Sequence, residues 1–233
     1  MKKYVYMICF LVLSFVMGAC SDDDEQVINP TASGTLTDQD GNEYHWVRIG
    51  NLDWMTENLR CDEPFYEDVY NPKWTNEFGY GLGLDGSLSD WKQWYADYGN
   101  YYTWQEAVDN APEGWRLPTD EDFMSLEREL GMKAADLEKV GWRSGVSSLL
   151  VQNGEGTSLN FVFGGEVCNA SNTTISLYHQ GDYGYYWTAS DIEVNKEAAA
   201  YARMITPGMN AVNRLIILQD KHCLSVRYVR DAQ

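Results

Sequence analysis

The side chains that could do chemistry in this 233-residue chain are few and dispersed. Cys61, Cys168 and Cys223 with His45, His179 and His222 offer thiol and imidazole donors. No two cysteines stand at zinc-ligand spacing and the histidines are scattered, so the pattern predicts no metal site. The acidic turn Asp38-Gln39-Asp40-Gly41-Asn42 resembles a calcium loop only superficially. Its glycine follows the second acid directly, where an EF-hand needs it two residues later, so turn chemistry is expected. Asp120-Glu121-Asp122 stands in the first turn of an expected helix, which points to helix-dipole stabilisation rather than to a carboxylate site. There is no nucleophile elbow, no His-Glu-x-x-His and no phosphate loop: Gly154-Glu155-Gly156-Thr157 lacks the required lysine and helix. A glycosidase needs only two carboxylates about 5–9 Å apart, which spacing among 35 acids does not reveal. No catalytic residue and no cofactor is assigned, and the reading leans away from an enzyme.

Recognition chemistry is better represented. Rings at Tyr70, Trp74, Tyr178, Tyr183 and Tyr185 could stack on sugar faces, while Asn153, Asn169, Asn172 and Asp182 could bond hydroxyls. A net charge of −18 leaves no basic stripe for phosphates, so nucleic acid is excluded as a partner.

The elements that must position these groups read as α+β. Gly34–Thr37 and Tyr44–Ile49 flank the acidic turn as a hairpin. Trp91, Trp94, Tyr95 and Tyr98 recur at helical spacing before Gly99. Thr103 with Glu106, and Thr119 with Asp122, form capping boxes for two further helices. Short β-like runs follow Gly141, and terminal strands are expected to pair, giving about three short helices in all. Residues 62–100 hold a dense set of aromatics among glycines, expected to form an insertion.

The first residues carry an address. Lys2 and Lys3, an apolar run from Val5 to Val16 and the ending Gly18-Ala19-Cys20 predict a lipoprotein signal peptide over 1–19, with Cys20 as the lipidated residue. Residues 20–34 predict an acidic, flexible tether, and 35–233 a single domain. Ser21-Asp22-Asp23-Asp24-Glu25 resembles the signal that carries lipoproteins of Bacteroidota to the outer face of the outer membrane. Cleavage leaves 15 basic against 35 acidic residues, so the lipid must hold the protein against electrostatic repulsion from an anionic surface. In an oxidising compartment, one bridge among Cys61, Cys168 and Cys223 is expected, with three pairings open.

Ordered motifs carry a family resemblance: Asp40-Gly41-Asn42-x-Tyr44, Val47-x-Ile49-Gly50, Trp54-Met55-Thr56-Glu57-Asn58-Leu59, Tyr102-Thr103-Trp104, Gly114-Trp115-Arg116-Leu117-Pro118-Thr119, Phe163-Gly164-Gly165, Tyr186-Trp187-Thr188-Ala189-Ser190 and Ser225 to Asp231. With these the chain resembles the Fibrobacter succinogenes major paralogous domain family over nearly all of residues 38–231. The resemblance implies a C-type-lectin-like fold and a surface-lipoprotein setting, and no activity. The calcium motifs of sugar-binding lectins are missing, so any sugar binding is expected to be calcium-independent. Trp54, Trp104, Trp115 and Trp187 are expected to be core anchors. The functional expectation is a non-catalytic binding module for a glycan or other extracellular polymer. The alternative is a structural or adhesin subunit of a surface protein assembly.

Overall fold

The computed structural model describes residues 28–62, 90–154, 156–168 and 176–233. Within them the fold is mixed α+β and rich in antiparallel sheet. Strands β1 (Ser33–Thr37), β2 (Glu43–Ile49) and β3 (Leu52–Met55) form a meander, and β11 (Val229–Asp231) adds to β3. The chain's last strand therefore completes the sheet begun by its first three. The β1–β2 turn is closed by Asp38, whose carboxylate accepts from the backbone of Asp40 and Asn42, the Asn42 amide and Tyr44 Oη. Burial works to raise that carboxyl, but these bonds outweigh it and hold it below its usual range. Both carboxylate oxygens are spent on the turn itself, as turn chemistry requires.

Five helices are described, two more than the sequence shows. Helix α1 (Asp90–Tyr98) ends at Gly99, whose φ of +77° fits a glycine stop. A Cβ there would meet Asn58 Cβ at 2.6 Å. Helices α2 (Trp104–Asp109) and α3 (Asp120–Glu129) both begin with complete capping boxes, from Thr103 and Thr119. The additional α4 (Ala134–Leu137) and α5 (Ser147–Leu150) are single turns without a side-chain cap, too short for a periodic pattern to announce them. No helix among the described residues is long and apolar enough to cross a membrane.

A second four-stranded sheet runs in the order β4 (Gly141–Ser144), β9 (Met209–Leu218), β8 (Glu197–Thr206), β7 (Gly184–Val194). A third, smaller sheet sets β5 (Glu166–Cys168) between β10 (His222–Cys223) and β6 (Ser176–Tyr178). One core cluster joins Trp54, Phe123, Phe161, Tyr186 and Val212. Another joins Tyr44, Tyr102, Trp115, Trp187 and Tyr228, with Trp104 packed against it, so the four motif tryptophans anchor the core as expected.

Asp120 departs from the sequence reading. Asp122 completes the capping box and Glu121 stands exposed in the first turn. Asp120 turns inward and binds Arg203 Nη1 at 2.7 Å and Arg214 Nη2 at 2.7 Å, while Glu127 takes Arg143 and Arg203. Helix α3 is thereby clamped onto β4, β8 and β9 by a buried ion network whose partners lie far along the chain.

Candidate functional site

An open groove of about 370 Å³ lies between the β1–β2 hairpin and the loop after α5, a volume within the range of small-ligand sites. Alternation on the paired strands decides what faces it. Ser33 pairs with Val47 and Thr35 with His45, so these side chains share one face. Gly34 and Trp46 point to the other face, where the Trp46 ring occupies the space a Gly34 side chain would need. Glu57, in the lining, bridges several donors: its Oε1 lies 2.8 Å from His45 Nδ1, and its Oε2 accepts from His45 N at 2.8 Å and Thr56 Oγ1 at 3.0 Å.

The opposite wall is the loop carrying Asn153, Gly154, Ser158 and Asn160. Ser158 and Asn160 hold left-handed backbone, with φ of 54° and 50°, conformations that persist only where the surroundings enforce them. Arg227 enforces them. Fully buried, it donates Nη1 to Leu159 O and Nη2 to Asn160 O, each at 2.6 Å, Nε to Asn58 Oδ1 at 2.7 Å, and Nη1 to Met55 O at 3.1 Å. Its guanidinium lies 4.6 Å from the Phe161 ring centroid, and burial lowers its pKa from the usual arginine value. Gln152 accepts from Thr157 N through its side chain and from Asn160 N through its backbone. The wall is therefore a preorganised loop that presents amides and hydroxyls.

A second group of polar and aromatic residues gathers at the small sheet. The ring of His179 lies 5.3 Å from Tyr183, 6.1 Å from Tyr178 and 6.3 Å from Tyr185. The structure thus brings Tyr178, Tyr183 and Tyr185 together. They do not form a free platform: Tyr185 is 7% exposed and packs in the core, and Tyr183 leans on it, leaving Tyr178 as the most open ring. The Tyr185 hydroxyl is pushed to higher pKa by its burial and by the Glu166 charge. Asp182 belongs to the adjoining turn, where its backbone donates to His179 O.

Of the remaining expected contact residues, Asn153 lines the groove, whereas Tyr70, Trp74, Asn169 and Asn172, like Cys20 and most of the 62–100 insertion, lie outside the described residues. From the sequence His45 stands only as a scattered imidazole donor, and Glu57, Ser158 and Asn160 carry no expected contact. Glu57 and Asn58 stand in the Trp54 to Leu59 motif, which was the available signal.

The expected disulfide is not formed: Cys61, Cys168 and Cys223 all stand as thiols. Cys61 lies in the core beside Met55 and Tyr102. Cys168 pairs with His222, and Cys223 with Val167, so alternation puts these two cysteines on opposite faces of one sheet. Burial pushes the Cys61 and Cys223 thiols up to about 12.

A family model described as the Fibrobacter succinogenes major domain matches residues 47–230. The chain belongs to that family. The match runs from within β2 to within β11, so it takes in two of the three sheets, part of the first and all five described helices. In this Fibrobacter succinogenes major domain, strand β1 and His45 precede the matched region, and one wall of the groove is therefore built by residues outside it. Comparison with curated proteins and with solved structures finds no match.

Proposed function

We propose that this Fibrobacter succinogenes major domain, C-type-lectin-like in fold, is the non-catalytic binding module of a lipoprotein anchored through Cys20 on the outer face of the outer membrane, and that its ligand is a neutral glycan. The observation that carries the reading is the groove lining. Hydroxyls from Ser33, Thr35, Thr56 and Ser158 and amides from Asn153 and Asn160 surround one carboxylate–imidazole pair. Such a surface exchanges hydrogen bonds with a polyhydroxyl chain at little desolvation cost, since each donor and acceptor finds a partner. Among the described residues Glu57 is the only acid in that lining, whereas glycoside hydrolysis needs a pair of carboxylates, which supports binding without cleavage. An excess of acidic over basic side chains disfavours polyanionic ligands.

A glycan array probed with the purified protein in calcium-free buffer tests the proposal. Binding to at least one neutral oligosaccharide class, weakened about fivefold or more in Asn153→Ala, is the expected result. Absence of binding across neutral glycans, or an unchanged affinity in the variant, overturns it.

A second reading, a subunit of a surface assembly, draws on one observation. Trp142 in β4, an edge strand of its sheet among the described residues, is 41% exposed, and Val140 just before it is 61% exposed; apolar side chains on an open edge suit a protein partner. Self-association lost in Trp142→Ser would favour it.

A further inference from the structure

One face of the small sheet carries a donor set that the groove does not use. Pairing of Cys168 with His222 and of Glu166 with Tyr178 places Glu166, Cys168 and His222 on one face, while Val167, Leu177 and Cys223 point the other way, against Tyr101 and the α1 rings. A carboxylate oxygen of Glu166, the Cys168 sulfur and a ring nitrogen of His222 all lie within 4.8 Å of one another. His222 Nδ1 is 2.8 Å from Glu166 Oε2, and His179 Nδ1 is 3.9 Å from the other oxygen, Oε1. Glu166 is itself buried.

Rigid neighbours fix this geometry. Gly165, with φ of +75°, has no room for a side chain, because a Cβ there would sit 2.2 Å from Tyr178 O. His179 also holds left-handed backbone, with φ of 61°, a conformation that costs a non-glycine residue free energy. The backbone of Gly165 donates to Tyr183 O at 2.7 Å and that of Gly181 to Phe163 O at 2.7 Å, tying the His179 turn to the start of β5.

We propose that Glu166, Cys168 and His222 form a binding site for a zinc-class divalent transition-metal ion. Ligand atoms at about 2.0–2.3 Å from a tetrahedral ion stand roughly 3.3–3.8 Å apart, so a small opening of the existing Glu166–His222 contact admits the metal. One thiolate, one imidazole and one carboxylate suit zinc or cobalt, whereas calcium and magnesium take oxygen donors. On binding, Cys168 Sγ gives up its proton to solvent, His222 coordinates through a neutral nitrogen, and the fourth position is taken by water. His179 stands 3.9 Å from the second Glu166 oxygen, close enough to serve as an outer neighbour of the site. Spacing along the chain, from which no metal is expected, conceals the arrangement because it is assembled by β5–β10 pairing. The proposal is independent of glycan binding in the groove, which uses none of these residues.

The test is cobalt and zinc titration of the full chain, purified in detergent without a histidine tag. The expected result is one equivalent of Co2+ bound with a thiolate-to-cobalt charge-transfer band in the near ultraviolet, abolished by added Zn2+. The band should vanish in Cys168→Ser and persist in Cys61→Ser and Cys223→Ser, and His222→Gln should weaken Zn2+ binding at least tenfold with an unaltered far-ultraviolet spectrum. No band in the wild type, a band that survives Cys168→Ser, or zinc affinity unchanged in His222→Gln overturns the site.

Discussion

Replacing Arg227 by methionine removes the cation that holds the groove loop in place, and its consequence can be worked out from the contacts. Arg227 is 1% exposed, and its four hydrogen bonds end on three backbone carbonyls and the Asn58 amide oxygen. Hydrogen bonds from a charged donor contribute about 1.5–3 kcal/mol each, and orphaned buried acceptors cost about 1–3 kcal/mol each. Against this stands the cost of burying a cation with no carboxylate among those four partners, several kcal/mol that methionine does not incur. Methionine also keeps van der Waals contact with the Phe161 and Tyr186 rings that now receive the guanidinium. The net expectation is a loss of roughly 3 kcal/mol. Urea unfolding should show a lower midpoint at unchanged slope. Hydrogen exchange at 157–161 should rise more than in the β7–β9 sheet, because the left-handed loop loses its restraint. A loss below about 1 kcal/mol, or exchange that rises uniformly, would refute the claim that Arg227 preorganises the groove.

Other predictions follow from the same contacts. Asp53, Asp120 and Asp122 are pushed up by burial but held net below the usual carboxylate range by hydrogen bonds and charges from their arginines; their stabilisation is therefore complete above about pH 4 and lost as pH falls through the depressed values. Acid unfolding followed by circular dichroism should show that limb, and Asp120→Asn should lower stability at pH 7 by about 3 kcal/mol while flattening it. With the Cys61 and Cys223 thiols at about 12, stability should also decline between about pH 9 and 12, as the unfolded chain ionises first. Mass-resolved alkylation of the metal-free folded protein at pH 8 should modify Cys168 before Cys61 or Cys223, and simultaneous modification of all three would contradict the burial described. Cys20→Ala should abolish incorporation of an alkyne fatty acid and release the protein from membranes, and unchanged labelling would refute lipidation.

Much of the fold was legible where local chemistry specifies it. Thr103 and Thr119 announce their helices through side chains that satisfy nearby backbone donors, and the Asp38 turn announces its hairpin. What escaped was set by long-range pairing. Nothing near Asp120 in sequence shows that Arg203 and Arg214 will meet it, so an inward carboxylate reads as a helix-start residue. Cys168 and His222 look unrelated until β5 and β10 pair. The groove escaped for a further reason: its donors are ordinary serines, threonines and asparagines, and only the left-handed backbone at Ser158 and Asn160, invisible in sequence, marks their loop as constrained. Aromatic enrichment, the most visible signal, led instead to Tyr183 and Tyr185, which pack against each other and the core.

Ligand binding in the groove between the hairpin and the Arg227-held loop can be read residue by residue. Amide chemical-shift mapping on an isotope-labelled sample, titrated with the tightest-binding neutral oligosaccharide from the array, tests it most directly. Shifts should concentrate at residues 33–35, 45–47, 56–57 and 153–160, and disappear in Asn153→Ala at the same ligand concentration. Shifts concentrated instead at Tyr178 to Tyr185, or along β4 at Trp142, would contradict it.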